Sequence, residues 1–292
     1  MKFIREKAVM CSGSYKDINI YVLSTEQHTR HRKTKCRKLT TPKQARQNLK
    51  YAQQYAVQLV NTNFGNGDYI IDLTYETEPE NRERAEKDVF NYVNRLKTLY
   101  KKHGLTFRAF WVTGGGHQRK KGEGLTRFHH HLIISGGADR NEIENKWNYG
   151  RIKCSRAKIL QNDFGLEPRV RYMVKPSHSS EETNAKHWHS ANMKKPLESR
   201  NDEKYNILEF DKLIKAIRNN CGLQYLKKLY KNYEAVEITA IINPVTNLPH
   251  IHIKLKREIK NRHSEAADKN KMIIRTSIIL PQNIRKVNNA CT

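Results

Sequence analysis

Three consecutive histidines, His129, His130 and His131, lie in a largely apolar stretch that runs to Ser135. In a β-strand, alternate side chains project from the same face, so His129 and His131 would lie together, about 7 Å apart along the strand. His130 would then point to the opposite face. Two neutral imidazoles at this distance can hold one divalent metal ion. The pattern therefore predicts a metal site on His129 and His131, with a purely structural strand as the alternative.

A second chemical pattern pairs Tyr172 with Lys175, in a segment that begins at Pro168 and must end at Pro176. On a helix, residues three positions apart lie on one face. A phenol attacks phosphorus only when it is partly deprotonated, and nearby cations or a metal ion favour that form. Tyr172 is therefore a candidate nucleophile, and Lys175 is a candidate for stabilising charge. The structural alternative is a half-buried core tyrosine beside an extended lysine.

The surrounding residues predict the elements that position these groups. Segments 69–75, 107–113 and 128–135 predict strands, and segment 80–103 has the apolar spacing of a long helix. The tight link between the second and third strands predicts a hairpin, which favours an α+β fold with a largely antiparallel sheet. Further predictions are a hairpin over 1–24, a helix from Pro42, a polar, basic loop over 177–200, helices over 206–219 and 224–230, and a hairpin of strands 236–241 and 251–255.

The composition is strongly basic, with 55 Lys and Arg against 29 Asp and Glu and a net charge of +26. Such a charge predicts an anionic partner, and nucleic acid is the leading candidate ahead of a membrane surface. No acidic residue occurs between Gln27 and Gly67. This segment predicts a phosphate-contacting arm, with a solvated basic face as the alternative. The candidate DNA contacts are Arg32, Lys33, Lys35, Arg37, Arg169, Arg171 and Lys186.

The sequence favours a reducing, non-membrane location. No apolar run approaches the roughly 20 residues of a membrane-spanning helix, and the N-terminal segment lacks the apolar stretch of a signal peptide. The five cysteines are odd in number and include no CxxC pair. A disulfide framework or a zinc site is therefore not expected, and a cytoplasmic location fits best.

The chemical patterns follow one another in a defined order: the strand with Asp72 to Tyr75, the histidine strand, and the segment with Tyr172 and Lys175. In this order the chain resembles the HUH-endonuclease superfamily, and more narrowly the rolling-circle replication initiation proteins of bacterial plasmids and phages. The similarity runs from about residue 3 to residue 256. It also includes residues 63–68, 147–151, 186–188 and 192–196, and His130 replaces the central hydrophobic residue of the HUH pattern.

The resemblance implies an α+β, HUH-endonuclease (RRM/ferredoxin-like) fold, with a central antiparallel β-sheet and helices on one face, plus N- and C-terminal elaborations. On this basis, residues 1–64 would be a basic N-terminal hairpin and helix, packed on the core or extending it. Residues 65–200 would be the nicking core. Residues 201–258 would add helices and a β-hairpin, and residues 259–292 would be a polar tail.

The resemblance also implies site-specific nicking and joining of single-stranded DNA at the start of rolling-circle replication. His129 and His131 would hold Mg²⁺ or Mn²⁺, Tyr172 would form a 5′-phosphotyrosine intermediate, and Lys175 would stabilise the phosphate or the phenolate. The implied partners are single- and double-stranded DNA at a replication origin, with no membrane. A host helicase and polymerase are further implied partners. The sequence has no Walker-type phosphate loop, so helicase activity must come from another protein.

The metal site departs from the family pattern at one position. Members of the superfamily commonly place a third ligand at the end of the strand before the histidine hairpin, where this chain has Gly114. His117 or Glu123 in the following loop, or Asp72 on a neighbouring strand, are the alternative third ligands.

Two further interpretations of the whole chain stay open. The missing ligand is compatible with a non-catalytic DNA-binding protein on the same fold, and the motifs would also suit a single-tyrosine HUH transposase or a relaxase. A second HxH pattern, His250 and His252, lies on a predicted strand after the Tyr172 segment. Its place in the motif order predicts that it is not catalytic.

Overall fold

The structure is a computed structural model, and it describes residues 2–24, 41–116, 124–175, 187–219, 221–258 and 275–279. Its elements in chain order are β1 (Lys2–Cys11), β2 (Tyr15–Ser24), α1 (Pro42–Asn63), β3 (Tyr69–Thr74), α2 (Arg82–Lys102), β4 (Ala109–Gly114), β5 (His129–Ile134), α3 (Arg140–Glu144), β6 (Ile152–Arg156), α4 (Glu167–Met173), β7 (His187–His189), β8 (Leu197–Asn201), α5 (Ile207–Arg218), α6 (Gly222–Leu229), β9 (Tyr233–Ile242), β10 (Pro249–Arg257) and β11 (Arg275–Ile279).

The chain forms two compact units whose boundaries differ from the predicted ones. One unit comprises Met1–Asn48 and Leu197–Thr292, and the other comprises Leu49–Pro196. The predicted segments 1–64 and 201–258 are therefore not separate elaborations. The physical reason is strand pairing, because β2 of the N-terminal hairpin is hydrogen-bonded to β10 of the C-terminal hairpin in a single sheet.

The unit formed by Leu49–Pro196 contains a five-stranded sheet in the order β6-β3-β5-β4-β7, and every neighbouring pair is antiparallel. Its elements β3, α2, β4, β5, α3 and β6 form a β-α-β-β-α-β arrangement. The predicted α+β fold with an antiparallel sheet is confirmed at this level. The edge strand β7 lies in the segment that the sequence predicted to be loop, and the same segment ends with the first residues of β8.

The core of this unit lies between the sheet and α2. Asn81 caps the helix by accepting a hydrogen bond from the backbone N–H of Arg84 at 2.8 Å. Gly104 follows the helix end with a φ of 67°, a conformation that glycine adopts without steric cost. One apolar side of α2 packs on alternate residues of three strands. This core includes Ala85, Val89, Tyr92, Leu96, Ile71, Leu73, Trp111 and Leu132.

Helices lie on both faces of this sheet, so the predicted placement of helices on one face is wrong. Ile71 and Leu73 of β3 point into the core beneath α2. Asp72, between them, must point to the opposite face. There it pairs with Arg169 of α4, so α4 lies on the face opposite α2.

The other unit contains a six-stranded sheet in the order β11-β9-β10-β2-β1-β8. Neighbouring strands are antiparallel except for β11, which runs parallel to β9. Helices α5 and α6 cover one face through a core that includes Ile18, Ile20, Phe210, Leu213 and Ile253. Among the helices of the described ranges, none combines the length and the apolar character that a membrane crossing requires.

Candidate functional site

The register of β5 places His129 and His131 on the sheet face that α4 covers. His131 lies opposite Asp72 of β3 and Val112 of β4, and His129 lies opposite Gly114. The two imidazole centroids are 5.0 Å apart, with ring planes inclined by 68°. Both side chains are partly exposed. The predicted convergence of the two histidines on one face is confirmed.

His130 points to the opposite face and is completely buried. Its Nδ1 lies 2.9 Å from the Thr113 hydroxyl, and its Nε2 lies 2.8 Å from the Tyr75 hydroxyl. Burial, together with smaller effects of the neighbouring His129 and His131, lowers the pKa of His130 to about 3. His130 is therefore a neutral core residue that joins β5 to β4 and to the end of β3.

Each of the two convergent histidines directs its Nδ1 atom to a hydrogen-bond acceptor. His131 Nδ1 lies 2.5 Å from Asp72 Oδ1, and His129 Nδ1 lies 3.0 Å from the backbone carbonyl of Arg127. Since both partners can only accept, the neutral rings carry their proton on Nδ1 and their lone pair on Nε2. Metal-binding histidines usually have this arrangement, in which a carboxylate or carbonyl fixes the tautomer and the ring orientation.

Asp72 connects the histidine strand to α4. Its carboxylate accepts the His131 bond and also forms an ion pair with Arg169, whose Nη2 lies 3.4 Å from His131 Nδ1. Burial raises the pKa of Asp72, but the hydrogen bond from His131 and the charge of Arg169 outweigh this effect and hold the pKa below its ordinary value. The sequence suggested Asp72 only as a candidate ligand. The structure places it at the Nδ1 edge of His131, where it positions the ring.

Within the described ranges, no group of three or more His, Cys, Asp and Glu side chains is placed to hold a metal ion. His117 and Glu123, the other two candidate ligands, lie outside those ranges. The geometry also explains why Gly114 supplies no ligand. A Cβ atom on Gly114 would lie 2.5 Å from His129 Nε2, so the imidazole of His129 occupies the space that a side chain would need.

Tyr172 completes the group of residues that the structure brings together. Its side chain is 60% exposed, and its ring centroid lies 5.2 Å from that of His131, with an interplanar angle of 65°. The guanidinium carbon of Arg169 lies 5.7 Å from the Tyr172 ring centroid. An exposed phenol, a pair of imidazoles and a cation therefore adjoin on one face of the sheet, as the sequence predicted for Tyr172.

Lys175 does not share a helix face with Tyr172, so this part of the prediction is wrong. Helix α4 ends at Met173, with Val174 as its C-cap. Lys175 precedes Pro176, and a proline disfavours helical backbone in the residue before it. The Lys175 backbone N–H still reaches the Tyr172 carbonyl at 3.4 Å, and its side chain is exposed beyond the helix end.

Helix α1 holds the segment that presents Tyr172. The buried amide of Asn61 donates to the Phe164 carbonyl and accepts from the Leu166 backbone N–H, both at 2.8 Å. Gly165 lies between them with a φ of 63°. Gln53 donates to the Val174 carbonyl at 3.3 Å, just beyond the other end of α4. Sequence reasoning missed these two amides, since polar residues such as Gln58 and Thr62 surround Asn61 and give it no distinctive signal.

The predicted DNA contacts have different outcomes. Arg169 is engaged inside the site, and Arg171 forms an ion pair with Glu167 on its own helix. The remaining predicted contacts lie outside the described residues: Arg32, Lys33, Lys35, Arg37 and Lys186.

The second HxH pattern belongs to the other unit, where hydrogen bonds engage both rings. His252 Nε2 lies 2.6 Å from Asp17 Oδ1, and His250 Nε2 lies 3.0 Å from Asn19 Oδ1. Burial lowers the pKa of His250 to about 4. Hydrogen bonds to two neighbouring polar side chains of β2 therefore engage both rings.

Comparison with known proteins adds no relative: no family model, no curated protein and no solved structure matches this chain.

Proposed function

We propose that this chain is a metal-dependent DNA nicking enzyme of the HUH type, which uses Tyr172 as its nucleophile and starts rolling-circle replication. The observation that supports this function most directly is the contact of the Tyr172 ring with His131, one of two histidines on a shared strand face. The strand order β6-β3-β5-β4 and the β-α-β-β-α-β arrangement agree with the ferredoxin-like class to which the HUH fold belongs. The proposed setting is a cytoplasm, with origin DNA, a host helicase and a polymerase as partners.

The donor set fits a divalent cation. His129 and His131 both carry their lone pair on Nε2, because Arg127 and Asp72 accept from their Nδ1 atoms. Imidazole suits transition metals better than Mg²⁺, which prefers oxygen ligands, so Mn²⁺ should support activity more strongly than Mg²⁺. When bound, the cation would polarise the scissile phosphate.

Tyr172 supplies the attacking oxygen. Its Oη forms a bond to phosphorus while the bond from phosphorus to the 3′ oxygen breaks. The phenolic proton is lost and the leaving oxygen takes up a proton, so the products are a 5′-phosphotyrosyl link and a 3′-hydroxyl. Arg169 lies beside the ring and offsets negative charge on the phosphate. Asp72 holds both His131 and Arg169 in place.

The decisive experiment is detection of the covalent adduct. The full chain is incubated with single-stranded DNA of diverse sequence in Mn²⁺ or in EDTA, and a denaturing gel separates protein that carries DNA. We expect an adduct in Mn²⁺ that Tyr172→Phe abolishes while DNA binding persists. His129→Ala and His131→Ala should each reduce it strongly.

Tyr225→Phe is the matched control, because Tyr225 lies on α6 of the other unit. This variant should form the adduct at the wild-type level. Formation of the adduct by Tyr172→Phe at that level would refute the nucleophile, and no adduct from the wild-type chain in Mn²⁺ would refute the activity.

One observation favours a second candidate, a non-catalytic DNA-binding protein on the same fold. The described residues provide two convergent histidines but no third His, Cys, Asp or Glu to complete a metal site. This candidate predicts DNA binding without an adduct, and with no dependence of binding on Mn²⁺ or on His129 and His131.

A further inference from the structure

A cavity of about 320 Å³ lies beside the end of α6, among residues of the unit formed by Met1–Asn48 and Leu197–Thr292. Its volume is at the lower end of the roughly 300–1,000 Å³ that is usual for small-molecule sites. The charged residues that line it are one carboxylate and three lysines: Glu6, Lys16, Lys204 and Lys231. Cations outnumber anions in this lining, so the cavity suits a small anionic group.

Lys16 occupies a position of β2 where the alternation of the strand predicts an apolar side chain. Side chains two positions apart share a face of a strand, so Lys16 lies in line with Ile18 and Ile20. Both isoleucines are fully buried in the core beneath α5 and α6. Lys16 is thus a partly buried cation at the rim of this core, where it also lines the cavity.

The one carboxylate of the cavity is already engaged. Glu6 is 7% exposed, and it accepts hydrogen bonds from Lys204 Nζ at 2.7 Å and from the Tyr230 hydroxyl. Among the residues that the structure describes, no carboxylate forms an ion pair with Lys16 or Lys231. Burial lowers the pKa of Lys16, Glu6 opposes this effect, and the charge of Lys204 adds to it. An anion in the cavity would supply the counter-charge that Glu6 does not provide.

Two aromatic rings position the lysine ammonium groups. Lys16 Nζ lies 4.5 Å from the centroid of the Tyr233 ring, and Lys204 Nζ lies 4.0 Å from that of Tyr230. Ammonium groups that are already positioned lose less side-chain freedom when they bind a ligand. Lysine is a common phosphate ligand because its charge is compact and carries three N–H donors. The net charge of +26 favours a nucleic acid or a nucleotide as the molecule that carries this phosphate.

We propose that this cavity binds one phosphate group, with Lys16 and Lys231 as its cationic contacts and Lys204 held against its wall by Glu6. A nucleic-acid backbone and a free nucleotide present the same group to these lysines, so either can supply it. The inference goes beyond the proposed nicking function, because Tyr172 and its histidines belong to the other unit.

The first measurement compares thymidine 5′-monophosphate with thymidine, by isothermal titration calorimetry on the full chain in EDTA. The nucleotide should bind more tightly than the nucleoside, which lacks the phosphate. Lys16→Met keeps an unbranched apolar side chain but removes the ammonium group, and it should weaken nucleotide binding roughly 10- to 100-fold. Lys231 is exposed, so Lys231→Met should weaken nucleotide binding without disturbing the core. Lys212→Met is the matched control, because it removes one exposed charge from α5 of the same unit, outside the cavity lining.

The second measurement distinguishes the two sources of the phosphate. Labelled single-stranded oligothymidylate is titrated with the same proteins in EDTA over a range of salt concentrations. If the backbone supplies the phosphate, Lys16→Met should flatten the slope of log affinity against log salt by about 0.7, the value for one single-strand contact. If a free nucleotide supplies it, Lys16→Met should bind the oligonucleotide as the wild type does while losing the mononucleotide.

Three results would each overturn the phosphate site. They are unchanged binding of both probes by Lys16→Met and Lys231→Met, equal binding of thymidine and its monophosphate, and a loss in Lys212→Met as large as that in Lys16→Met. None of these measurements depends on adduct formation, so a chain that never nicks could still bind phosphate here.

Discussion

Replacement of His130 by glutamine should flatten the pH dependence of this protein's stability between pH 7 and pH 5. His130 is completely buried, and this burial lowers its pKa from 6.5 to about 3. In the folded chain the imidazole therefore stays neutral at pH 5. In the unfolded chain it takes up a proton as the pH falls below about 6.5.

The sign and size of the effect follow from this difference. Between the two pKa values the unfolded state binds more protons than the folded state, so the free energy of unfolding falls as the pH falls. With pKa values of 6.5 and about 3, His130 alone removes about 2 kcal/mol between pH 7 and pH 5. The full loss, reached below about pH 3, is roughly 5 kcal/mol.

Urea unfolding at the two pH values, followed by tryptophan fluorescence, measures this loss. Trp147 is a suitable probe because its ring centroid lies 5.8 Å from that of His130. His130→Gln keeps a side chain that can bond to Thr113 but does not titrate, so its stability should change about 2 kcal/mol less than that of the wild type. His189→Gln, at an exposed position on β7, should leave the wild-type pH dependence nearly intact.

An unchanged pH dependence in His130→Gln would refute the argument. If that variant is too unstable to measure, the imidazole of the wild type can be titrated directly by NMR. A pKa near 6.5 for His130 would refute the buried, neutral assignment.

Three further predictions concern the site and the arm. Asp72→Ala should weaken Mn²⁺ binding or nicking about 10- to 100-fold, because it removes the acceptor that fixes His131; a change below about twofold in both would contradict that role. Gly114→Ala should reduce Mn²⁺ binding by displacing His129, whereas Gly65→Ala, where an added Cβ meets nothing within 4 Å, should not; equal effects of the two in a metal titration would contradict the steric argument. Alanine replacement of Arg32, Lys33, Lys35 and Arg37 should flatten the slope of log affinity against log salt by a few units, at about 0.7 per single-strand phosphate contact or 0.9 per duplex contact, and an unchanged slope would indicate a solvated arm.

The sequence predicted most accurately those features of the fold that depend on local periodicity. The alternation of β5 placed His129 and His131 on one face and His130 on the other, and the structure confirms both assignments. The helix that ends before Gly104 and the hairpin between β4 and β5 follow from equally local signals. The helical spacing was misleading at Lys175, because the helix ends at Met173 and Pro176 disfavours helical backbone in the residue before it.

Contacts between residues far apart in the sequence could not be predicted from local periodicity. Asp72 and His131 are 59 residues apart, and only the register of β3 against β5 brings them together. Asn61 holds the segment before α4 from more than 100 residues away. The joining of the first and last hairpins in one sheet is likewise a pairing of remote strands, which no periodicity within either hairpin encodes.

The three adjacent histidines raise the question of what prevents β5 from shifting by one residue, which would exchange its two faces. Apolar side chains alone do not fix the register of β5, because Leu132, Ile133 and Ile134 are all buried and so occupy both faces. Polar partners provide the missing specificity. The core face offers two hydroxyl groups to a single imidazole, that of His130, and the opposite face offers one carboxylate, which holds His131. A one-residue slip would bury two imidazoles, those of His129 and His131, on a core face whose hydroxyl groups serve a single ring. A buried polar group without a hydrogen bond costs about 1–3 kcal/mol. The residue that looks chemically redundant in the sequence, His130, thus fixes the register that directs the other two histidines toward Tyr172.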